Sequence, residues 1–500
     1  MVLDKIFKKI QAVAQKNKTP CYVVGGFVRD MLMDKAREKD VDFVILGSGL
    51  GFAKKFDQAM KQEGSLIEFP DFDTARYILT PSKSSPYQGE DNEQIVLEFA
   101  GARGEEYDEK SRKPRVKPAT LKQDLERRDF TINAMAMSID DYPSGRPPQG
   151  GRPPPLIKGR LIDPFGGQED LKNKILRTPL DPDKIFSEDP LRMMRAARFA
   201  GQLGFAIDTF ALQAIYRNRE RLKIVSAERV QEELLKMLST PEPSICLALL
   251  FQTHLLDLVL PEVAKLDGVE EIYGHQHKNN LSHTFKVVDN IAERSPKVML
   301  RFAGLLHDIG KASTKKFIPR QGWTFYQHEH MGKKMVYQIG KRLRLSTDHT
   351  DYLAKMVRWH QQPISLMDKG ITDSAVRRLI VNLGDELEDL LILGRSDITT
   401  GNPLKKEKRL GNYDRLEKRI AEVLEKDKLR AFQSPVRGEE IMKECGLKAG
   451  PTVGKIKDAI EEAILDGIIP NEYDKAREYL FEIKNKYLEK AQDWERVKNI

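Results

Sequence analysis

The sequence predicts an α+β protein, with a mixed α/β head followed by an all-α remainder. Three observations carry that prediction. Short apolar, β-branched runs at Cys21–Val24, Val41–Leu46 and Gln94–Phe99 have the length and composition of strands. From about residue 185 onward, apolar residues recur at helical spacing. A chain of 500 residues, at about 100–200 residues per domain, is long enough for three or four such pieces.

Taken in order, residues 3–15 place Leu3, Ile6, Phe7, Ile10, Val13 and Ala14 on one face of an amphipathic helix. The run CYVVGGFVRD then reads as strand, Gly25-Gly26 turn and helix, and Val41–Leu46 as the next strand. Prolines and glycines crowd residues 140–160 and forbid a regular ladder there. Further Pro/Gly seams fall at Pro241-Glu242-Pro243 and at Gly401-Asn402-Pro403. The expected pieces are 1–165, 166–265, 266–400 and 401–500. Lys110, Arg112, Lys113, Arg115 and Lys117 form a dense basic run, read as a solvated face or a phosphate contact.

Composition narrows the class. Lys and Arg number 83 against 75 Asp and Glu, a surplus of 8 compatible with a polyanionic partner. The three cysteines, Cys21, Cys246 and Cys445, have no paired spacing, so a disulfide framework and a thiolate zinc site are excluded and a reducing compartment is expected. No apolar run reaches the ~18 residues of a membrane span, and Met1-Val2-Leu3-Asp4-Lys5 carries no apolar signal core. A soluble cytoplasmic protein without a membrane partner is the expectation.

The first chemical constellation is strand, Gly25-Gly26, helix, strand, and Asp40-Val41-Asp42. Side chains two apart on a strand share a face, so Asp40 and Asp42 can converge on one cation. Hard oxygen ligands suit Mg²⁺, which takes a few carboxylates plus substrate phosphates. Glu98 is the candidate third carboxylate. The glycines would let backbone N–H groups approach a triphosphate, with Arg29 and Asp30 on the first turn that follows. Arg127-Arg128-Asp129 offers guanidinium forks and a carboxylate. Asp189 and Arg192, three apart at a helix start with Pro190 in its first turn, are an acceptor and a donor facing one way. Alone, the two residues read as a helix cap with a surface ion pair, or as a pair that reads the amine and ring nitrogen that cytosine and adenine both present and repels the carbonyl of guanine or uracil.

GGFVRDML…KDVDF resembles the first motif of the class II tRNA nucleotidyltransferase and bacterial poly(A) polymerase family. DLERRDFTINA (Asp124–Ala134), IDPFGGQEDL (Ile162–Leu171), EDPLRMMRAARF (Glu188–Phe199) and AERVQEELLKML (Ala227–Leu238) resemble its next four motifs, in order. The resemblance implies a CCA-adding enzyme that extends tRNA 3′ ends from CTP and ATP by two-metal chemistry, without a nucleic-acid template. It implies catalytic Asp40, Asp42 and Glu98, with Mg²⁺ on the aspartates. It further implies nucleotide binding by Gly25, Gly26, Arg29, Asp30, Arg128, Asp129, Asn133, Asp189, Arg192, Arg195 and Arg198. A poly(A) polymerase, or a specialist adding only CC or only A, is the alternative within the family. Poly(A) polymerases of the family carry an arginine-rich strand soon after Asp-x-Asp, whereas this chain reads Gly47-Ser48-Gly49-Leu50-Gly51-Phe52.

The second constellation is histidine-rich. Of nine histidines, those within residues 283–360 include His283, His307, His328, His330 and His360. Imidazoles mixed with carboxylates suit a transition metal, Mn²⁺ or Mg²⁺ better than Ca²⁺. The run resembles the HD superfamily of metal-dependent phosphohydrolases. The resemblance implies ligands His283, His307, Asp308 and Asp397, extra ligands His328 and His360, and an ion such as Ni²⁺ or Mn²⁺. With it, the four stretches become nucleotidyltransferase head, neck and body, HD domain, and a helical tail resembling the tRNA-binding tail of some CCA-adding enzymes. A chain acting chiefly as an HD phosphohydrolase is the alternative from another class.

Overall fold

The computed structural model describes residues 2–35, 40–79, 94–108, 111–141, 161–272, 275–276, 279–367, 372–427, 434–489 and 491–496. It divides into two units, Met1–Ala264 and Lys265–Ile500. No helix among the described residues is long and apolar enough to cross a membrane.

The first unit is built on a seven-stranded sheet. From one edge its strands are Ser65–Phe69, Thr74–Leu79, Ile95–Gly101, Asp40–Ile45, Cys21–Val24, Ala136–Ser138 and Leu161–Ile162. Every pairing is antiparallel except that of Asp40–Ile45 with Ile95–Gly101, which sets Asp42 beside Glu98. One face is sealed by the helices Val2–Asn17 and Gly49–Ala59, which bury Ile6, Phe7, Ile10, Phe52 and Phe56 against Val23, Phe43 and Phe99. Phe43 stacks on Phe99 with centroids 5.1 Å apart, and Phe7 meets Phe43 edge-on at 5.6 Å. At about 1.5–3 kcal/mol per buried large apolar side chain, this face fixes the register that brings the acidic residues together.

The basic run lies on the strand Ser111–Pro118, which pairs with Arg103–Asp108 in a separate two-stranded sheet. Two prolines are tolerated there because a two-stranded sheet has only edges, and the register shifts between Glu106 and Asp108. Lys110 lies outside the described residues, as do the side chains of Arg112, Lys113 and Arg115, and most of the proline-rich stretch, 142–160.

Beyond residue 185 helices dominate, but the chain is less uniformly helical than expected. Ala206–Ile207 pairs in parallel with Ile175–Leu176, and hairpins form at Glu271–Gln276 and Lys316–Thr324. In the second unit the helices Asn280–Ala292, Val298–Leu306, His328–Leu343, Thr347–Trp359 and Leu387–Ser396 carry the histidine-rich region. A separate core of Val436, Ile441, Ile456, Ile460, Ala476 and Leu480 joins the last three helices, Gly438–Cys445, Pro451–Leu465 and Tyr473–Leu488.

Candidate active sites

Asp40 and Asp42 stand on the same face of their strand, in the alternation that also buries Val41 and Phe43 on the other side. Both have exposed side chains. The Asp42 carboxyl is nevertheless closely surrounded, and that burial pushes its pKa up to about 6. Arg128 opposes the shift, while Glu98 and Asp40 add to it. Glu98 is held by Arg76 through an Nε–carboxylate bond of 2.8 Å. Three mutually repelling carboxylates on adjacent strands are a donor set that a hard cation would relieve.

Gly25 caps the helix Gly26–Leu32 with φ +74°, a conformation that disfavours side chains. A Cβ at that position would also lie 3.0 Å from the Arg128 guanidinium and 3.5 Å from the Asp42 carboxylate. The glycine therefore lets an arginine close over the acidic pair. Its own N–H faces the Met135 carbonyl at 3.4 Å, so it is not the free phosphate donor that the turn suggested.

Arg128 is anchored by Asp124, a fully buried carboxylate that the sequence reading passed over. Asp124 accepts from Arg127 at 2.7 Å and from Arg128 at 3.2 Å, from one helical turn away. That i, i+3, i+4 spacing was the available signal. Arg29 and Asp30 turn from the acidic pair. Arg29 is buried, bonds Asp30 at 2.7 Å, and donates to Asn133 Oδ1 at 2.9 Å. Asn133 in turn donates to Asp129, whose other oxygen accepts two bonds from Arg195 at 2.6 and 2.8 Å. Burial opposes the charge on Asp129, but Arg195 and Asn133 outweigh it and hold the carboxyl down at about 2. Arg29, Arg195 and Arg198 all stack on the Phe199 ring, Arg198 closest at 4.1 Å. Arg198 is pinned by buried Glu233, which no local pattern marks because it lies on another helix. The result is a cationic shelf of three guanidinium groups with one aromatic face.

Asp189 and Arg192 do not bond each other through their side chains. Asp189 ends the helix Pro182–Glu188, caps Leu191 N–H at 3.3 Å and receives Arg229 at 3.2 Å. Pro190 stands at the N-cap of Leu191–Leu203 rather than inside its first turn. Arg192 is buried and donates to the carbonyls of Ile185 (3.2 Å), which also accepts the Asp189 N–H, and of Arg127 (2.6 Å), both at helix ends.

In the second unit, six ligand-type residues converge. His283, His307 and Asp397 present ligand atoms within 4.8 Å of one another, as do Asp308, His328 and His360. The two triads abut: His307 Nε2 is 3.2 Å from Asp308 Oδ2, and His328 and His360 lie 3.4 and 3.7 Å from Asp308 Oδ1. His307, His328 and His360 each aim Nδ1 at the carbonyl three residues earlier: Gly304 at 2.7 Å, Phe325 at 2.9 Å and Val357 at 2.8 Å. A carbonyl only accepts, so Nδ1 carries a proton and Nε2 is the ring atom that faces inward, with those of His328 and His360 3.2 Å apart. Burial, aided by His307, lowers the His360 pKa to about 4 and keeps its ring neutral. His283 Nδ1 meets Thr399 Oγ1 at 2.8 Å, and its Nε2 meets Asp397 at 2.9 Å. Lys311 reaches Asp308 at 2.5 Å. His330, by contrast, turns to solvent. His307 Nε2 and Asp308 Oδ1 are buried yet make no hydrogen bond. Orphaned inward donors of this chemistry fit a divalent cation.

Residues 21–177 match the Poly A polymerase head domain, residues 204–266 the "Probable RNA and SrmB- binding site of polymerase A", and residues 280–393 the HD domain. The chain is 32% identical over 355 residues to the A-adding tRNA nucleotidyltransferase of Deinococcus radiodurans, covering 69% of this chain and 76% of that protein. It is 31% identical over 386 residues to the multifunctional CCA protein of Vibrio parahaemolyticus, covering 75% of this chain and 84% of that one. Among solved structures, the Bacillus stearothermophilus CCA-adding enzyme in complex with CTP has a TM-score of 0.61 at 23% identity, covering 97% of this chain and 98% of that chain. At that identity the likeness is one of fold.

Proposed function

The chain belongs to the tRNA nucleotidyltransferase and poly(A) polymerase family, and we propose that it adds CCA to tRNA 3′ ends from CTP and ATP without a nucleic-acid template. The observation that carries this reading is the convergence of Asp40, Asp42 and Glu98 beneath Arg128, in a chain with these relatives. Asp40 and Asp42 hold Mg²⁺, with Glu98 turning from Arg76 to join them. When bound, the ion lowers the pKa of the terminal 3′-hydroxyl and offsets the charge of the departing pyrophosphate. Arg128 and the shelf of Arg29, Arg195 and Arg198 bind the triphosphate, and Asp129 and Asn133 keep that shelf aligned. Asp189 and Arg192 exchange their present partners for the Watson–Crick edge of cytosine or adenine.

In the second unit, His283, His307, Asp308, His328, His360 and Asp397 hold a divalent transition ion such as Ni²⁺ or Mn²⁺ and serve phosphoester hydrolysis. The ion supplies an activated water when bound. Lys311 stands beside Asp308 to receive a phosphate oxygen. RNA contact in the tail is assigned to the helix Pro403–Asp427, whose Lys405, Lys406, Lys408 and Arg409 are all exposed. A cytoplasmic location belongs to this reading, in keeping with the use of tRNA, CTP and ATP.

Sequencing tRNA 3′ ends after reaction with CTP alone, ATP alone and both tests the head. Addition of C, C and then A supports the reading. Addition of A alone, and only to ends already carrying CC, would assign the specialist activity of the Deinococcus relative instead.

A further inference from the structure

The helix Pro403–Asp427 lays Tyr413 against Gly394 of the helix Leu387–Ser396, whose end carries Asp397. Tyr413 is 2% exposed, and its hydroxyl is buried without a hydrogen-bond partner. A buried phenol oxygen left unpaired is costly, so its placement calls for a partner. Gly394 creates the space: any Cβ there would collide with the Tyr413 hydroxyl. Residues 394 and 397 are three apart, so the phenol oxygen sits one turn below Asp397 on the same side of the helix.

Arg395, the other polar group at this corner, lies 5.5 Å from the Tyr413 ring centroid. It is committed to Asp414 at 2.7 Å and Glu417 at 2.9 Å, so it does not serve Asp397. The Asp397 carboxylate at present leans on His283 Nε2. Both groups must release each other to ligate a cation, because the shared proton cannot remain between them. Asp397 then needs a donor from behind. Burial and the charge of Asp397 both raise the Tyr413 pKa, so the phenol keeps its proton.

We propose that Tyr413 is a positioning residue of the His283–His307–Asp397 ligand set, its hydroxyl donating to Asp397 when that carboxylate turns onto a cation. The proposal rests on reading this cluster as a divalent-cation site. Tyr413, like Asp397 itself, lies beyond the residues that match the HD domain, on the helix Pro403–Asp427 that follows it.

The test uses the full-length protein loaded with Mn²⁺. Wild type, Tyr413→Phe and Gly394→Ala are compared for bound Mn²⁺, for its release to a chelator, and for melting temperature with and without the ion. Tyr413→Phe keeps the ring and removes one orphaned oxygen. Its ion-free form should therefore melt no lower than wild type, while Mn²⁺ affinity drops about tenfold. Gly394→Ala should weaken Mn²⁺ binding similarly by displacing the phenol, and should also lower the melting temperature. Wild-type release rates in Tyr413→Phe would overturn the positioning role and leave the cation site standing. An equal fall in melting temperature with and without Mn²⁺ would reduce Tyr413 to packing and overturn the proposal. Wild type that retains no Mn²⁺, Ni²⁺ or Mg²⁺ would overturn the reading of the cluster itself, and this proposal with it.

Discussion

The carboxylate site of the first unit and the imidazole site of the second differ in what surrounds their ligating atoms. Asp40 and Asp42 are exposed on one strand, and Glu98 is drawn aside by Arg76. His307, Asp308, His328 and His360 are buried, and each of those three histidine rings is already oriented by a main-chain carbonyl. On the proposed reading, the first arrangement is completed by an ion and its phosphates arriving together, as suits Mg²⁺ carried by a nucleotide. The second is preformed and suits a resident ion whose ligands are aligned in advance. A transferase must take up and release its nucleotide and pyrophosphate every cycle, whereas a hydrolytic centre can keep its ion.

That contrast is most directly broken by separating the sites. Asp40→Ala or Asp42→Ala should lower nucleotide addition by about 10³-fold or more, since loss of a ligand exposes both the attacking and the departing oxygen to uncompensated charge. Melting temperature should hold, because neither side chain lies in the core. Near-normal addition with Mg²⁺ by either variant would end the head assignment. In the other direction, His307→Ala with Asp308→Ala should empty the second centre of bound metal and abolish phosphoester cleavage. Addition to a tRNA with a free 3′-hydroxyl should stay within about twofold, as measured by metal content beside nucleotide incorporation. A collapse of both activities would mean that the two centres are not independent.

The pair Asp189 and Arg192 sharpens the comparison within the first unit. Arg192 is held by two carbonyls and Asp189 by a helix cap and Arg229, so on the proposed reading both must release these partners before they read a base. Replacing both by alanine should relax discrimination against UTP and GTP about tenfold to a hundredfold, the cost of one or two unmatched polar contacts. Competition assays with mixed nucleotides read this out. Unchanged selectivity would move base choice elsewhere.

What was legible in the sequence depended on range. The helix Val2–Asn17 and the strand Asp40–Ile45 carry their own period, and the core they build follows from it. Asp40, Asp42, His307 and Asp308 stand in local patterns whose chemistry is readable. His307 and Asp308 meet Gly304 and Lys311 only three residues away, but the partners that shape the head are not readable, because the chain brings them from far away. Arg29 and Asn133 are 104 residues apart, and Glu98 meets Arg76 across a strand pair. The hairpins Glu271–Gln276 and Lys316–Thr324 escaped because strands of two or three residues are too short to show a period. Arg192 is misleading for a related reason. Its spacing from Asp189 suggests a side-chain pair, but Arg192 donates to the carbonyls of Ile185 and Arg127, while Asp189 caps Leu191 and receives Arg229, which comes from a helix 40 residues on.

The last prediction uses the unfinished state of the head directly. Without a cation, crowding lifts the Asp42 pKa from an ordinary 3.8 to about 6. The folded protein therefore binds a proton more tightly at Asp42 than the unfolded chain does. That proton stabilises the fold increasingly as pH falls from about 6 toward about 4, and the contribution is absent above that window. A metal ligand must shed the proton, so Mg²⁺ competes with it. The Mg²⁺ concentration giving half-maximal addition should be flat above about pH 6 and rise by up to about tenfold per pH unit below it. Arg76 lowers the Asp42 pKa slightly and restrains Glu98. Arg76→Ala should therefore move the break to higher pH while freeing Glu98, so that less Mg²⁺ suffices at pH 8. Titrations at four pH values, with wild type and variant, decide the matter. A Mg²⁺ requirement with no break between pH 5 and pH 8 would mean that the head, like the second centre, is assembled before its ion arrives.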